Sequence, residues 1–523
     1  MQTLLVSPDH NASNATPWGV LSVGSYIRGV KGYDLSLLDG NVDGEAKTLK
    51  ILQRKVPSLS LVGVSSFSTD APFLKKVCDL IKETNPRCKI VVGGPHVILC
   101  PDQTARYPNI DYVAYSDGEV TFATLMEELQ CDRPDLERVP GLIHKQGDRL
   151  VRTPVAPPVP FYPTDYTLLD ERVLETFNGK INVLAGRGCP FKCTFCFTAI
   201  SGQTWRGKSS DMLHQEVKDL VEVYDPREIY FRDELFFTDK NRVIKWIDFY
   251  KQNNFTFKWY TSARATDVRE GYIDVEMLRN LADAGCSCLK FGFESGSDRV
   301  LKMIKKGINL KSINKVIETF KAVPEVEMNA SFLTGLPGES YEEIVDTVVL
   351  SASIQRDVPN SRIVGPQYFR VYPGGSLYDS VVKEYDFQVP DKLEGWVEWF
   401  ERPENSEGFF GRGITYPWLD KRSQFLASHA DLFVEFMYSR GFRHKSNYKK
   451  QLLSILRPII KWRLRHRKFR FLVDIRLAEK ILEFSIWDFV NALPPYRFLN
   501  RFESFRAFKT SRLFRSVSGY FAR

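Results

Sequence analysis

The chain has 523 residues, of which 43% are hydrophobic and 26% are charged. These values are ordinary for a folded protein with a substantial core, and they exclude a disordered chain, a collagen-like repeat and a small disulfide scaffold. The length predicts roughly three domains at about 150 residues each. No apolar run approaches the roughly 18 residues of a membrane-spanning helix, and the first residues lack a signal-peptide pattern. We therefore expect a cytoplasmic protein.

The positive charge of the chain is concentrated near its carboxyl terminus. The formal net charge is +8, from 72 Lys and Arg against 64 Asp and Glu. Residues 441–523 hold 20 Lys and Arg against 5 Asp and Glu, so they contribute +15 and residues 1–440 contribute −7. Aromatic residues alternate with the cations in this segment. That pattern fits contact with an anionic membrane surface, RNA binding, or a helical cap packed on the rest of the protein.

Residues 1–131 alternate short apolar runs with helical patterns. The strand-like runs are 3–8, 34–40, 59–66, 89–94 and 111–117. Strands that alternate with helices predict an α/β domain with a doubly wound, Rossmann-like parallel sheet. Such a sheet binds its ligands at the carboxyl ends of the strands.

The alternation stops between residues 132 and 178. Residues 142–153 predict a β-hairpin that turns at Gly147 and Asp148. Five prolines follow within residues 151–163. Because proline fixes the backbone and removes a hydrogen-bond donor, this stretch predicts a stiff connector between two domains.

Residues 179–380 resume the alternation with longer helices. The strand candidates are 181–186, 228–232, 257–261, 288–293, 326–333 and 363–371. Six such units predict a (β/α)6 partial TIM barrel, open on one side, with its chemistry at the carboxyl ends of the strands. Residues 381–523 form a C-terminal extension that we expect to be mostly helical.

Three cysteines follow the first barrel strand in the stretch GRGCPFKCTFCF. Cys189, Cys193 and Cys196 have the spacing C-x3-C-x2-C. Three thiolates on one loop can bind three irons of a cubic cluster and leave the fourth iron open to a substrate or cofactor. Three apolar buried cysteines and a zinc site are the alternatives, although the nearest histidine, His214, is not at a ligand-like spacing.

This cysteine pattern, with Phe195 before its last member, resembles the radical S-adenosylmethionine (SAM) superfamily. In that family the open iron chelates SAM, and electron transfer from the cluster releases a 5′-deoxyadenosyl radical. The resemblance implies that Cys189, Cys193 and Cys196 bind a 4Fe-4S cluster.

Four later segments resemble the SAM contacts of the same family, in the same order. They are FRDELFF, SARATD, GFESGS and FLTGLPGES, and the implied contact residues are Asp233, Glu234, Arg264, Glu294, Ser295, Gly335 and Pro337. An arginine can pair with the cofactor carboxylate through two parallel hydrogen bonds, which suits Arg264. Considered singly, these residues also fit surface charges, a helix cap or an ordinary turn.

The first segment resembles the cobalamin-binding domain that precedes many such barrels. The resemblance implies cobalamin contacts at Ser65, Ser66, Gly93, Gly94, Gly118 and Glu119. Many of these domains carry D-x-H-x-x-G, whose histidine binds beneath the cobalt, but Asn41 stands at that position here. We therefore expect cobalamin without a histidine ligand, with Asn41 near the metal or in a simple turn. A degenerate domain that no longer binds cobalamin is the alternative.

Together these resemblances imply a cobalamin-dependent radical SAM enzyme, which we expect to methylate an unactivated carbon or phosphorus centre of a small molecule. They also imply an external electron donor of the flavodoxin or ferredoxin type. The basic tail raises a lipid-like substrate and peripheral membrane contact as hypotheses, whereas a nucleic-acid partner is not expected. The rival functions are a cyclase or oxidoreductase of the same architecture, an RNA methylthiotransferase, and a cobalamin or iron–sulfur sensor without turnover.

Overall fold

A computed structural model describes residues 1–9, 16–196, 204–402, 413–438, 442 and 445–483. These residues form two mainly parallel sheets, each covered by helices, and a helical C-terminal extension. No helix within these ranges has both the length and the apolar character needed to cross a membrane.

The first sheet has seven strands in the order β2-β1-β3-β4-β5-β6-β7. Its strands are β1 (Thr3–Ser7), β2 (Ser36–Asp39), β3 (Leu61–Ser65), β4 (Lys89–Gly93), β5 (Tyr112–Ala114), β6 (Leu142–Gln146) and β7 (Arg149–Arg152). Its helices are Trp18–Gly29, Gly40–Asp43, Glu45–Lys55, Ala71–Thr84, Pro95–Leu99, Pro101–Ala105 and Gly118–Glu128. Strands β1 to β5 pair in parallel, as predicted, and successive residues such as Leu4 and Leu5 enter separate apolar cores on the two faces.

The predicted hairpin belongs to this sheet and not to the connector. Strands β6 and β7 flank the turn at Gly147, and β6 pairs antiparallel with β5 through Val113 and Ile143. The sheet of the first domain therefore extends past residue 131, to Arg152. The sequence pattern of a hairpin fixes its own register but does not say which sheet edge it joins.

The second sheet has six parallel strands and stays open between its two edge strands, β8 and β15. Its strands are β8 (Lys180–Val183), β11 (Glu228–Phe231), β12 (Lys258–Ala263), β13 (Cys286–Glu294), β14 (Glu327–Thr334) and β15 (Ser361–Tyr368), and a two-stranded ladder joins β9 (Gly186–Arg187) to β10 (Arg206–Gly207). The associated helices are Val173–Thr176, Ser210–Tyr224, Lys240–Gln252, Val275–Asp283, Asp298–Met303, Leu310–Lys321 and Tyr341–Asp357. This is the predicted partial barrel.

Alternation along the barrel strands separates two environments. Phe231, Trp259 and Phe291 are buried in the core shared with the helices, whereas their neighbours Tyr230 and Tyr260 are only partly buried on the opposite face. Period-two alternation places every second side chain on the same face of a sheet. The inner face of the barrel therefore carries the tyrosine hydroxyl groups, whereas its outer face is covered by the helices.

The described part of the C-terminal extension is helical, as expected. Its helices are Ser376–Tyr385, Leu393–Glu401, Lys421–Ser428, Ala430–Met437, Asn447–His466 and Val473–Glu483. Helix Leu393–Glu401 packs on Ala71–Thr84 of the first domain and buries Leu393 and Trp396 there. The extension thus contacts both domains. The basic, aromatic run 496–523 lies outside the described residues.

Candidate functional site

The cysteine loop follows β8 and is fixed at its centre from two sides. The Thr194 N–H donates to the Ile304 carbonyl (3.0 Å), and the Leu377 N–H donates to the Thr194 carbonyl (2.9 Å). Ile304 follows the helix after β13, and Leu377 follows the last barrel strand. Two separate elements of the barrel mouth therefore set the position of this loop.

The glycine pair after β15 allows this close approach. Gly375 has φ +79°, and a Cβ atom built on it would lie 2.3 Å from the Thr194 carbonyl oxygen. Only glycine suits both the backbone angle and the contact. The segment VYPGGSLY therefore closes against the cysteine loop at the mouth of the barrel.

The three cysteines of this loop differ in burial. Cys193 is buried, and Cys189 and Cys196 are partly buried. Burial raises the pKa of Cys189, the Phe191 N–H and Arg264 lower it, and the charges of the other two thiolates raise it again, so the three groups are neighbours. Within the described ranges, no three His, Cys, Asp or Glu side chains meet as a single-ion site. Thiolates that bind different irons of a cubane need not converge on one point.

Arg264 lies directly against the cysteine loop. Its guanidinium stacks on the Phe191 ring with 3.5 Å to the ring centroid, and it also donates to the Lys306 carbonyl. The buried Nε of Arg264 has no partner among the described residues. A cationic donor is therefore available beside the cysteines, and its contact with the carboxylate of SAM, which the resemblance implies, stays a prediction.

Glu294 reaches the same region from the end of β13. Its carboxylate is buried and pairs with the Lys306 ammonium at 2.8 Å. Its φ is +65°, which is uncommon for a residue other than glycine and which accompanies a register shift between β13 and β14. The Lys306 ammonium lies 5.7 Å from the centroid of the Phe195 ring in the cysteine loop. Lys306 thus connects Glu294 to the loop.

The side chains of the adjacent residues Asp233 and Glu234 lie in different surroundings. Asp233 accepts from the Ala185 N–H (2.7 Å) and pairs with Arg242 (3.4 Å), and burial raises its pKa to about 6 against the opposing effect of Arg242. Burial also raises the pKa of Glu234, and the Gly188 N–H beside it opposes that shift. Asp233 therefore braces the end of β8 from within, whereas Glu234 lies at the glycine that precedes Cys189.

Ser295 is bound to the helix that follows β14. It is fully buried, and its hydroxyl lies 3.2 Å from the Thr347 hydroxyl and accepts from the Ser297 N–H. These contacts hold the turn after β13 on helix Tyr341–Asp357. A direct contact between Ser295 and SAM stays a prediction.

The loop after β14 is shaped by Gly335 and a buried carboxylate. Gly335 has φ +83° and packs against the Tyr368 ring, and Pro337 is buried two residues later. One oxygen of Glu339 accepts from the Gly335 N–H (2.7 Å) and the Leu336 N–H (3.1 Å), and the other has no partner among the described residues. Burial raises the pKa of Glu339 to about 8. The loop after β14 therefore carries a buried carboxyl group whose pKa burial raises above its usual range.

At the carboxyl edge of the first sheet, the structure brings together the serine pair after β3 and the glycine pair after β4. The Ser66 N–H donates to the Gly93 carbonyl (3.0 Å). A Cβ atom on Gly94 would lie 2.8 Å from both Ser65 Oγ and Ser66 N, so the two loops touch only because Gly94 has no side chain. Polar backbone and hydroxyl groups with close-packed glycines suit the polar tail of a cobalamin.

Asn41 lies in the short helix Gly40–Asp43 that follows β2, and Asp39 caps this helix. The side-chain amide of Asn41 donates to Asp39 at 2.9 Å, and its backbone N–H donates to the same oxygen at 3.0 Å. Whether cobalamin lacks a protein ligand beneath its cobalt stays a prediction.

Gly118 and Glu119 begin the helix after β5, but Glu119 faces the barrel. Its carboxylate pairs with Arg187 of the cysteine loop at 2.7 Å and accepts from the Tyr162 hydroxyl at 2.8 Å. Next to it, Arg206 pairs with Asp117 at 2.9 Å. The carboxyl edge of the first sheet therefore abuts the carboxyl edge of the barrel. In this structure Glu119 joins the two domains, and its contact with cobalamin stays a prediction.

Four residues of this site were not identified from the sequence. Phe191 and Arg187 lie inside the GRGCPFKC stretch, and Lys306 and Glu339 lie within or just after the segments that resemble SAM contacts. The weak signals were the position of Arg187 between two glycines and the position of Glu339 directly after Pro337-Gly338. No spacing rule shows which of these side chains turns inward.

Two family models match the chain in these same regions. Residues 10–126 match the B12 binding domain, and residues 183–350 match the radical SAM superfamily. The chain therefore carries a B12-binding domain followed by a radical SAM domain.

Curated relatives span most of the chain. An uncharacterized methyltransferase of Pyrococcus horikoshii is 28% identical, covering 73% of this chain and 83% of its own. The anaerobic magnesium-protoporphyrin IX monomethyl ester cyclase of Synechocystis is 25% identical over 61% of this chain and 66% of its own. The cytidylyl-2-hydroxyethylphosphonate methyltransferase of Streptomyces wedmorensis is 26% identical over 70% and 80%, respectively.

Two solved structures share the fold. The methyltransferase TsrM of Kitasatospora setae, solved with tryptophan and a SAM analogue, has a TM-score of 0.60 at 18% identity over 73% of this chain and 76% of its own. The radical enzyme OxsB, solved with aqua-cobalamin and SAM, has a TM-score of 0.62 at 17% identity over 89% and 70%. The radical SAM domain implies a 4Fe-4S cluster and SAM, and the B12-binding domain implies cobalamin.

Proposed function

We propose that this protein is a cobalamin-dependent radical SAM methyltransferase that acts on an unactivated carbon, or phosphorus, centre of a small molecule. The contact between Arg187 and Glu119 carries the proposal. It sets the sheet edge predicted to hold cobalamin against the loop predicted to hold the cluster. A substrate between the two edges would face both cofactors.

The chain's own residues position and shield this region. Cys189, Cys193 and Cys196 would hold the cluster, and Arg264 would bind the carboxylate of SAM. When bound, cluster and SAM supply a 5′-deoxyadenosyl radical, and cobalamin carries the methyl group. Helix Leu393–Glu401 covers the junction, because Trp396 donates to Gln103 at 2.9 Å and Phe400 stacks on Tyr372 at 6.4 Å.

Anaerobic reconstitution with iron, sulfide and cobalamin tests the proposal. We expect a cluster absorption band, bound cobalamin and formation of both 5′-deoxyadenosine and S-adenosylhomocysteine from SAM and a reductant. Cys193→Ala should abolish the cluster and the deoxyadenosine, whereas Cys131→Ala, at an exposed cysteine, should change neither. A cluster without bound cobalamin would refute the methyltransferase and leave a radical enzyme. Folded wild-type protein without a cluster would refute both.

Cyclisation or oxidation is the second candidate, because several relatives are cyclases. A cyclase consumes no methyl group. Deoxyadenosine without S-adenosylhomocysteine would therefore favour it over methyl transfer.

An RNA methylthiotransferase and a sensor without turnover receive less support. The methylthiotransferase would require a second set of cluster cysteines in the first domain, but Cys78, Cys88 and Cys100 are buried in an apolar core there. The sensor would produce no deoxyadenosine after reconstitution and addition of SAM and reductant.

We also propose a cytoplasmic location, an external electron donor of the flavodoxin or ferredoxin type, and peripheral membrane contact that would suit a lipid-like substrate. The support is nine cysteines without a disulfide and the basic C-terminal segment. To test the electron donor, reduced flavodoxin is added to the reconstituted protein, and reduction of the cluster is measured as a change in the absorption of the cluster.

A further inference from the structure

The C-terminal helices carry an apolar stripe that the fold does not use. Helix Asn447–His466 packs inward through Leu453, Leu456, Ile460 and Leu464. A second stripe on the same helix is exposed and consists of Leu452, Ile455, Ile459 and Trp462. Their spacing of three, four and three residues places them along one side of the helix, next to the buried stripe.

Exposed apolar side chains also occur just before and within the next helix, Val473–Glu483. Phe471, Val473 and Leu477 are also exposed. Seven of the fourteen exposed large apolar side chains among the described residues therefore lie between residues 452 and 477. Such clustering marks an interaction surface, because isolated apolar residues are spread over ordinary protein surfaces.

A basic groove adjoins the stripe. Arg422, Arg467, Lys468 and Arg470 line it, with Glu342 as its acid, between the start of helix Tyr341–Asp357 and the turn after His466. Arg422 lies 3.9 Å from the Tyr341 ring centroid, and Arg467 pairs with Asp346. Among the described residues, Lys468 and Arg470 pair with no acid. The groove residues 467–470 directly precede Phe471 in the chain, so cations flank the apolar surface.

Charge and composition identify the partner. Residues 445–483 hold 12 Lys and Arg against 3 Asp and Glu, which favours an anionic partner. Residues 484–523 hold 7 Lys and Arg against 2 Asp and Glu, so like charge disfavours this segment as a cover for the stripe. Five of the seven exposed side chains are aliphatic, and RNA binding would instead require aromatic rings on which bases stack.

We propose that this face docks the protein on an anionic phospholipid surface, with the apolar stripe inserted among the lipids and the basic groove on their phosphates. An amphipathic helix that lies in the interface needs no membrane-spanning segment. The proposal specifies the membrane contact proposed above and does not depend on the chemistry at the barrel mouth.

Co-sedimentation of the full chain with vesicles tests the proposal. We expect binding to phosphatidylcholine vesicles that contain about one third phosphatidylglycerol, weak binding to phosphatidylcholine alone, and loss of binding in about 0.5 M NaCl, where the screening length is only a few Å. The double variant Ile455→Glu and Trp462→Glu should bind at least about tenfold more weakly. Lys468→Glu with Arg470→Glu should also weaken binding.

Val223→Glu is the matched control, because Val223 is 67% exposed and Ile455 is 68% exposed. Circular dichroism verifies the fold of each variant, and all should keep Cys193-dependent deoxyadenosine formation, so that failure of the docking proposal is distinguishable from failure of the enzymatic one. Absence of binding to anionic vesicles, equal binding to neutral ones, or unchanged binding of the stripe variant would overturn the proposal. So would a dimer in solution that the stripe variant converts to a monomer without affecting vesicle binding.

Discussion

Arg187 and Glu119 form an ion pair, 2.7 Å between Nη1 and Oε1, that joins the cysteine loop to the helix after β5; Glu119 is buried and Arg187 is partly exposed. Burial by itself would raise the pKa of Glu119, but Arg187 and the Tyr162 hydroxyl outweigh it, and the pKa is lowered. Glu119 is therefore charged at neutral pH. The buried carboxylate depends on Arg187 for its counter-charge, so this pair helps to hold the two domains together.

Replacing Glu119 with Gln should destabilise this junction. The change leaves Arg187 without its counter-charge, and breaking a buried pair costs about 3–5 kcal/mol, less here since Arg187 is partly exposed. We expect the melting temperature of the reconstituted protein to fall by several °C in calorimetry. Glu127 lies on the same helix as Glu119 and forms an exposed ion pair with Lys31, so Glu127→Gln should have little effect on the melting temperature. Unchanged melting with weaker cobalamin binding would instead support the direct contact predicted from the sequence.

Replacing Arg264 with Gln should weaken SAM binding. Hydrogen bonds to charged groups contribute about 1.5–3 kcal/mol, which corresponds to about 10- to 150-fold in the dissociation constant. Equilibrium binding of SAM to the cluster-loaded protein measures this loss. Arg269→Gln is the control, since Arg269 is exposed in the same segment and donates only to the Thr266 carbonyl. An equal loss in both variants would contradict a specific role for Arg264.

Replacing Gly375 with Ala should displace the cysteine loop. The new methyl group would lie 2.3 Å from the Thr194 carbonyl oxygen. We expect less iron and sulfide per chain after reconstitution. Gly271→Ala is matched in backbone strain, because its φ is +73°, but a Cβ atom there meets nothing within 4 Å. Equal iron content in wild type and Gly375→Ala would show that this contact does not set the loop.

Glu339 should make stability depend on pH. Its folded-state pKa is raised to about 8, so between about pH 4.5 and 8 the folded chain holds a proton that the unfolded chain releases. This contribution to stability is complete below that range and is lost as the pH rises through 8. Glu339→Gln keeps an oxygen for the Gly335 and Leu336 N–H groups but cannot ionise. The decrease in melting temperature from pH 6 to pH 8 should therefore be smaller in the variant, and an equal decrease would contradict the assignment.

Local patterns along the chain were enough to predict both sheets and the helices of the barrel. The cysteine triad, the serine pair Ser65–Ser66 and the glycine pair Gly93–Gly94 were also visible, because each depends on a spacing within one loop. The sheet edge that receives β6 and β7 was not predictable, since pairing between strands far apart in sequence leaves no local pattern. The same holds for the direction of Asp233, which turns to Arg242 and the Ala185 N–H.

Periodicity was therefore sufficient to predict the fold class, and short motifs that resemble known families were sufficient to predict the order of the two cofactor domains, because each is encoded within a single stretch of chain. Three contacts follow only from the folded arrangement: Glu119 meets Arg187, Lys306 joins Glu294 to the cysteine loop, and Gly375 seals against Thr194. Each of them joins elements that are separate in the chain. Their geometry depends on how the two sheets and the extension pack together, which no single segment specifies.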